Sequence, residues 1–503
     1  MNETSTENFG KLRSFFWPIH KHENKKIIPM LLMGALISFN YNILRIAKDT
    51  LIVTAEESGA ETIPFIKVWV LLPMAILMTY IFTKFSNKFR KDQVFYLMIS
   101  IFLLFFSVFI FVLYPARDLI QPYNIANHLQ LILPKGFKGL IAIFRNWTFT
   151  SYYVMAELWG SVILSLLFWG LANEITNLRE ARRFYGLIGI SLNLAGILSG
   201  QFSALLSQHS YNPNFFFGHD AWEQSLILLI STVNICSVFI MIIFYRLHKK
   251  RSKTPNENIP DSYKQKVKMS MRETFSYLTK SKYLMYIALI VLSYNIVINL
   301  VEVLWKGELK QLYPIPNDYN AHMSQVSTAM GIIATFISLS ISSQCIRKFG
   351  WTFTASITPM ILFISSVGFF AFLFVKIYLN ELAFIFFGAS PLLVVCLFGS
   401  LHNAFCRGAK YSVFDTTKEI AFIPLSPECK LKGKAAIDGV CSRLGKSSGS
   451  IIHQGLLMTF ATLTNSAPYV SIIVLITIIV WLFAVKNLGK EVAPLVKENN
   501  VYN

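Results

Sequence analysis

The chain alternates long apolar runs with short polar segments, and the lengths of the runs decide the fold class. A helix that crosses a hydrocarbon layer of about 30 Å needs about 20 mainly apolar residues. Runs of that kind lie near residues 27–50, 65–84, 94–114, 150–172, 184–206, 224–245, 283–306, 322–344, 352–376, 381–405, 435–461 and 468–487. The pattern therefore predicts an all-α integral membrane protein with twelve transmembrane helices.

A polar segment divides the predicted helices into two sets of six. Residues 246–282 carry eleven Lys or Arg residues, which is typical of a cytoplasmic linker. The predicted organisation is a cytoplasmic N-terminus (1–26), a six-helix bundle (27–245), the basic linker (246–282), a second six-helix bundle (283–487) and a cytoplasmic tail (488–503). This 6+6 outline is that of the major facilitator superfamily, whose halves rock around a midplane cavity.

The balance of charge indicates an orientation. The chain has 46 Lys and Arg against 27 Asp and Glu, a formal net charge of +19. The basic residues are spread over loops between apolar runs and form no nucleic-acid-binding module, so we expect no nucleic-acid partner. With both termini on the cytoplasmic side, most of the basic residues fall in cytoplasmic segments.

The first 23 residues are polar and show no secretory signal. We expect a multi-pass protein of a bacterial inner membrane.

Three charged residues interrupt the first predicted helix. Arg45, Lys48 and Asp49 lie within an apolar run, where a charged side chain costs about 2.5 to 3.5 kcal/mol. Arg45 and Lys48 are three positions apart and share a helix face with Tyr41, so this face could hold an anion. The alternative is a helix end whose long side chains reach the membrane surface. The apolar residues after Asp49 favour the anion site.

The fourth and seventh predicted helices each carry a carboxylate in an apolar run. Glu157 lies among Met, Leu and Trp residues, and Glu302 stands four positions before Lys306, with which it can pair along the helix. Intramembrane carboxylates usually face a partner or a watery cavity. The alternatives are a neutral Glu157 hydrogen-bonded to a neighbouring helix and a Lys306 solvated near the outer interface.

The eleventh predicted helix repeats the Arg-x-x-Lys spacing of the first. Arg443 and Lys446 occur in RLGKSSG, where Gly445 and Gly449 allow a ligand or a backbone to come close. The segment GKSSG resembles part of a phosphate-binding loop, but the full GxxxxGK[ST] pattern and a preceding strand are absent. We therefore expect phosphate contact without hydrolysis, and no enzyme activity.

These residues combine into one hypothesis, a cavity for a polyanion. Lysine and arginine bind phosphate oxygens as point charges and as bidentate donors. The candidates for phosphate binding are Lys48, Lys446, Arg45 and Arg443; those for charge pairing, gating or coupling are Glu157, Glu302, Lys306 and Asp49; those for stacking on a base are Tyr41, Tyr153 and Trp159. The scattered cysteines lack metal-ligand spacing, so we expect no metal and no cofactor.

The same segments carry a resemblance to a known family. KDTLIVTA (48–55), AELWGSVILSLLFWG (156–170), NLVEVLWKGELKQLYP (299–314), KYSVFDTTKEIAFIPL (410–425) and RLGKSSGS (443–450) resemble the bacterial and plastidial nucleotide transporters, and look closest to the rickettsial ADP,ATP carrier proteins. The resemblance implies uptake of host ATP against internal ADP, in electroneutral or proton-coupled form. Four charged positions important in that family match Lys48, Glu157, Glu302 and Lys446.

The sequence leaves the substrate base open. Every nucleoside triphosphate presents the same phosphates, so GTP, CTP or UTP transport, with proton coupling through Glu157 or Glu302, stays an alternative. A membrane enzyme acting on phosphorylated lipid would need a loop-borne acid/base or metal cluster, which the outer loops lack. An anion channel is a further alternative. We expect a monomer in the lipid bilayer, with ATP and ADP as substrates.

Overall fold

The computed structural model describes residue 17, residues 19–176, 178–215, 217–251, 281–340, 342–378 and 390–422, several residues between 424 and 437, and residues 441–498. Secondary structure in these ranges is helical throughout. The main helices are α1 (Asn24–Val53), α2 (Thr62–Lys88), α3 (Lys91–Leu113), α4 (Arg117–Ile120), α5 (Tyr123–Ile132), α6 (Lys138–Arg145), α7 (Trp147–Ile175), α8 (Leu178–Ser207), α9 (Ala221–Arg251), α10 (Lys282–Leu312), α11 (Pro316–Ser340), α12 (Ser342–Tyr378), α13 (Pro391–Ala421), α14 (Ser442–Phe460) and α15 (Leu463–Glu498).

Ten helices in the described ranges are long and apolar enough to cross a membrane. The all-α membrane class is therefore confirmed. The two other predicted spans, 322–344 and 435–461, overlap α11 and α14, which are not among the ten. Residue 341, residues 435 and 438–440, and residues 381–389 of the predicted span 381–405 lie outside the described residues. Polar residues such as Asn320 and Lys446 interrupt the apolar sequence of α11 and α14, because both helices face the interior between the two halves.

Most of the predicted linker lies outside the described residues, which resume at residue 281. The two halves are thus the helices up to α9 and those from α10 onward. We call the end of the bundle that carries the loop after Val53 the distal face, and the end that carries Asn24 the proximal face. The short helices α4 to α6 connect α3 to α7 at the distal face.

The halves pack most closely where α8 meets α11. A Cβ atom added to Gly200 would lie 2.3 Å from Thr328 Oγ1, and one added to Gly331 would lie 2.7 Å from Ile197 Cγ1. Gly186 and Gly189, nearer the proximal face, have nothing within 4 Å of an added Cβ. The two helices therefore touch along their distal parts. The glycine-rich sequence of α8 serves close packing at Gly200 but not at these two proximal positions.

Further contacts close the distal face between the halves. The Lys310 ammonium donates to Ser58 O, and Gln454 Nε2 donates to Pro64 O over 2.9 Å. Asn320 Nδ2 donates to Ser207 Oγ over 2.7 Å. These bonds join α10, α14 and α11 to the first half. They hold the two halves together at the distal face.

Candidate functional site

A network of buried ion pairs crosses the boundary between the halves. Lys306 Nζ lies 2.7 Å from Asp49 Oδ2 and 2.8 Å from Glu302 Oε1. Lys48 Nζ lies 3.1 Å from Asp49 Oδ1. All four residues are buried. Asp49 thus joins two lysines, one from its own helix α1 and one from α10 in the other half.

Two more charged residues extend the network at its ends. Glu157 Oε2 on α7 lies 3.3 Å from Lys48 Nζ, and Arg407 Nη2 on α13 donates to Glu302 Oε1 over 2.8 Å. The Glu157 side chain keeps 28% of its surface exposed, which leaves it open to the space between the halves. The network therefore runs without a break from α7 in the first half to α13 in the second.

Helical spacing explains how the sequence builds this network. Glu302 and Lys306 are four residues apart, so they meet on one face of α10 and turn that face toward α1. Lys48 also lies over the Tyr153 ring, 3.7 Å from its centroid, where a desolvated cation is stabilised by the ring face. Each buried lysine thus has carboxylate or aromatic partners. Lys306 lies in charge pairs, as expected, and its burial excludes the alternative that it is solvated near the outer interface.

Lys67 is a member of the site that the sequence analysis did not assign. It lies in a π-helical turn of α2, Ile66–Leu71, and its Nζ donates to Asn299 Oδ1 on α10 over 2.5 Å. A lone lysine in an apolar run was the available signal. The lysine also contributes to the electrostatic field at the Glu157 carboxylate. Since π-helical turns often occur at functional sites, its setting supports a functional role.

Arg407 is a second site residue that the sequence analysis did not assign. It follows the apolar part of α13 and is followed within that helix by a π-helical turn, Lys410–Phe414. In the sequence, an arginine at the end of an apolar run indicates only the cytoplasmic end of a membrane helix. Only the fold shows that it reaches Glu302.

Of the basic pair on α14, Lys446 lies within electrostatic reach of the network, while no contact among the described residues ties Arg443 to it. Arg443 and Lys446 are both exposed, and the Lys446 charge acts on the Glu157 carboxylate. An added Cβ at Gly445 would lie 2.8 Å from Asn295 Cβ, so the glycine lets α14 pack closely on α10. That packing fixes the helix that carries Lys446.

Arg45 lies one helical turn toward the proximal face from Lys48. Its Nη2 donates to Ser327 Oγ on α11 over 3.3 Å, and its guanidinium lies 5.9 Å from the Tyr41 ring centroid. Tyr41 is partly buried and packs against Gly160, where an added Cβ would lie 2.6 Å from its ring. Both residues therefore border the space between the halves.

The structure corrects two of the stacking candidates. Trp159 is fully buried, its Nε1 donates to Ile37 O over 3.2 Å, and its ring packs on Phe102 and Phe106. It belongs to the core of the first half and offers no face to a base. Tyr153 is also fully buried, and its ring is covered by the Lys48 ammonium. Its position is that of a partner for Lys48.

Cations outnumber carboxylates at this site. Among the described residues, the basic ones at the site are Lys48, Lys67, Lys306, Lys446, Arg45 and Arg407, and the acidic ones are Asp49, Glu157 and Glu302. Because buried charges need partners, an unbalanced group of this kind is suited to a ligand with several negative charges. Phosphate oxygens match both lysine and arginine donors.

A bundle of membrane-crossing helices with a charged network between its halves defines a secondary transporter. The fold agrees with solved transporters, among them a bacterial homologue of the iron transporter ferroportin (TM-score 0.53, 14% identity, 91% of this chain and 98% of that chain). The nucleoside transporter NupG is similar as well (TM-score 0.53, 12% identity, 92% and 99%). At these identities the likeness concerns the fold alone.

A family model described as TLC ATP/ADP transporter matches residues 2–492. The chain belongs to this family. ADP,ATP carrier protein 1 of Chlamydia pneumoniae is 44% identical over 495 residues, covering 97% of this chain and 96% of the relative. ADP,ATP carrier protein 1, chloroplastic, of Arabidopsis thaliana is 43% identical over 478 residues, covering 95% and 75%. The family expected from the sequence motifs is therefore confirmed.

Proposed function

We propose that this chain is a nucleotide antiporter that exchanges external ATP for internal ADP across a bacterial inner membrane by alternating access, without hydrolysing either. The excess of cations over carboxylates between the halves carries the proposal, since it suits the polyphosphate of a nucleotide. The names of the chlamydial and plastid relatives support ATP and ADP as the substrates.

In the proposed cycle the carboxylates stand in for the ligand when the site is empty. Asp49 and Glu157 now partner Lys48 at 3.1 and 3.3 Å. Phosphate oxygens of an entering nucleotide would take over Lys48, while Lys446 and Lys67 approach from α14 and α2. Such an exchange of partners lowers the cost of holding cations in a low-dielectric interior without cargo. Removing the cargo restores the carboxylate pairs.

The contacts across the distal face support alternating access. We assign the distal face to the outside and both termini to the cytoplasm, in agreement with the distribution of basic residues. In that orientation the present conformation is shut to the outside. Uptake then requires α8 to separate from α11 near Gly200, and the bonds of Lys310 and Gln454 to break. A monomer in the bilayer suffices, because both halves belong to one chain, and no nucleic acid takes part.

The test is exchange in proteoliposomes. Vesicles loaded with ADP, and matched empty vesicles, receive labelled ATP, GTP, CTP or UTP outside, each with and without a pH gradient. The proposal expects ATP uptake that depends on internal ADP and is little changed by the gradient. Equal uptake into loaded and empty vesicles contradicts exchange. Uptake that rises when the pH gradient is applied indicates proton coupling. Labelled phosphate released from ATP would contradict transport without hydrolysis.

A further inference from the structure

A glutamine from the second half contacts α2 on both sides of Lys67. Gln454 on α14 is buried, and its Nε2 donates to Pro64 O over 2.9 Å. Its Oε1 accepts a hydrogen bond from Trp69 Nε1 over 3.1 Å. An indole N–H only donates and a backbone carbonyl only accepts, so these two contacts agree on which end of the amide is nitrogen. Pro64 precedes the π-helical turn Ile66–Leu71 and Trp69 lies within it, so one side chain spans the beginning of the turn.

Lys67 lies between these two contact points along the chain. Its ammonium donates to Asn299 Oδ1 on α10 over 2.5 Å. The Asn299 amide is oriented as well, because its Nδ2 donates to Asn295 O over 2.7 Å and leaves Oδ1 for the lysine. The turn belongs to the first half, yet Gln454 and Asn299 fasten it to two helices of the second.

The two helices that carry these amides are held against each other. His453, beside Gln454 in sequence, donates from Nε2 to Leu300 O on α10 over 2.9 Å. A Cβ added to Gly449 would lie 3.1 Å from Asn299 Cβ, so the glycine lets α14 approach α10 closely. Gln454 and Asn299 therefore form one support, and the turn of α2 rests on both.

The π-helical form of this turn depends on such contacts. π-helical turns are rare and occur mostly as single turns within α-helices, frequently at functional sites. Neighbouring side chains of an α-helix point about 100° apart around its axis. If the turn relaxed to the α form, the segments on its two sides would rotate relative to each other by about that angle. The contacts at Pro64 and Trp69 oppose this rotation, and they thereby keep Lys67 directed at α10.

We infer that Gln454 is a positioning residue, which holds the π-helical turn of α2 and so keeps the Lys67 ammonium among the cations that bind the phosphates. The inference rests on the proposed nucleotide transport. It goes beyond that proposal by naming the side chain that sets the place of a phosphate-binding lysine. Both bonds of Gln454 cross between the halves, so Lys67 is held in this way only while the halves meet at the distal face.

The experiment is a double-mutant cycle of ATP binding to the purified full chain, measured by titration calorimetry. Gln454→Met keeps the length of the side chain and removes both hydrogen bonds. It should raise the ATP dissociation constant by about fivefold, within the range of coupling between contacting residues. In a chain that already carries Lys67→Met, the same substitution should change the dissociation constant by less than about twofold, because the lysine that Gln454 positions is absent.

Trp69→Phe tests the same contact from α2. Trp69 is 59% exposed, so the change removes the indole N–H without opening a cavity in the core. The ATP dissociation constant should rise by about twofold to threefold, because one of the two bonds is lost, and again only when Lys67 is present. This variant provides the test if Gln454→Met does not fold.

Gln201→Met is the matched control. Gln201 on α8 also makes two hydrogen bonds to the other half, from its Nε2 to Gln325 Oε1 over 3.1 Å and to Thr328 Oγ1 over 3.0 Å on α11. Neither bond involves α2. Any effect on ATP binding that comes from loosening the halves should appear in this variant, and it should be equally large with and without Lys67.

An equal rise in the dissociation constant for Gln454→Met with and without Lys67 overturns the inference, as does no rise in either chain. An effect of Gln201→Met that also disappears in the Lys67→Met chain overturns it too, because loosening the halves would then act through Lys67 without the contacts of Gln454. Unchanged binding in Lys67→Met alone leaves no phosphate-binding lysine to position, and this result overturns it as well.

The proteoliposome assay separates this inference from the proposed function. Exchange of ATP for ADP by the unchanged chain, together with an equal effect of Gln454→Met in both backgrounds, removes only the role of Gln454. Absence of exchange by the unchanged chain contradicts the proposed function itself.

Discussion

The Lys306 ammonium lies between two carboxylates from opposite halves, 2.7 Å from Asp49 Oδ2 and 2.8 Å from Glu302 Oε1. Its side chain is 2% exposed. A single cation thus neutralises one acid from each half and links α10 to α1. In the proposed cycle this bridge rearranges when the halves move apart, and the charge state of the site is then coupled to their relative position.

Lys306→Met should destabilise the protein. The change leaves Asp49 and Glu302 buried with less positive charge, and breaking a buried pair costs about 3 to 5 kcal/mol. The melting temperature of the purified protein measures the loss. The double variant Asp49→Asn with Lys306→Met should recover most of the stability and still fail in exchange. A Lys306→Met variant that melts like the unchanged protein would show that the bridge contributes nothing.

Lys67→Met should weaken nucleotide binding while the protein still folds. Lys67 is partly buried and its ammonium donates to the Asn299 amide without an ion pair of its own among the described residues. Its charge is therefore available to a phosphate. We expect at least about a tenfold rise in the ATP dissociation constant, typical of one lost charge-assisted bond.

Lys84→Met is the control for Lys67, since Lys84 lies on the same helix and is exposed near the proximal face. Titration calorimetry of both variants decides the matter. An unchanged dissociation constant in Lys67→Met would remove this lysine from the site.

Gly200→Leu should arrest exchange. The added side chain would collide with Thr328 and Ser324, because a Cβ alone would already lie 2.3 Å from Thr328 Oγ1 and 2.7 Å from Ser324 O. The distal face then cannot close, so the cycle stops with the site open to one side. The measurement is ATP uptake into vesicles loaded with ADP, beside ATP binding, which should persist.

Gly186→Leu is the comparison on the same helix. Nothing lies within 4 Å of a Cβ added at Gly186, so its exchange rate should stay close to that of the unchanged chain. Equal rates in the two variants would mean that distal closure does not limit the cycle.

The sequence predicted the fold class and much of the charged network for one reason. Lys48, Glu157 and Glu302 stand in apolar runs where a charge is costly, so their presence alone indicates a partner. Arg407 gave no such signal, because it follows an apolar run as a topology-setting arginine would.

Trp159 is a residue that the sequence wrongly assigned to the site. An aromatic residue two positions from Glu157 was expected to stack on a base, but two positions along a helix place it on a different face. Tyr153, four positions from Glu157, shares its face and reaches Lys48. Spacing along the helix was therefore the better guide than proximity in sequence.

Stability at the proximal face should depend on pH through Glu23. Burial disfavours the charged form of this carboxyl, but two hydrogen bonds from Arg183, at 2.5 and 2.9 Å, and one from the His20 N–H outweigh it and hold its pKa below the usual range. A depressed pKa gives stability that is present above the unfolded value of about 4.3 and is lost as the pH falls through the folded value.

The melting temperature should therefore fall in acid, and Glu23→Gln should make that fall shallower. Glu56→Gln, at an exposed carboxyl in the first distal loop, serves as the control. The same acid dependence in Glu23→Gln as in the unchanged chain would contradict the assignment.

The most direct measurement of the central claim is the equilibrium binding of ATP to the purified chain and to Lys48→Ala and Lys446→Ala. The site as described predicts that both variants fold and insert, yet lose ATP binding, while Lys84→Ala binds as the unchanged chain does. Unchanged affinity in both Lys48→Ala and Lys446→Ala would contradict the claim that these two lysines hold the phosphates of the cargo.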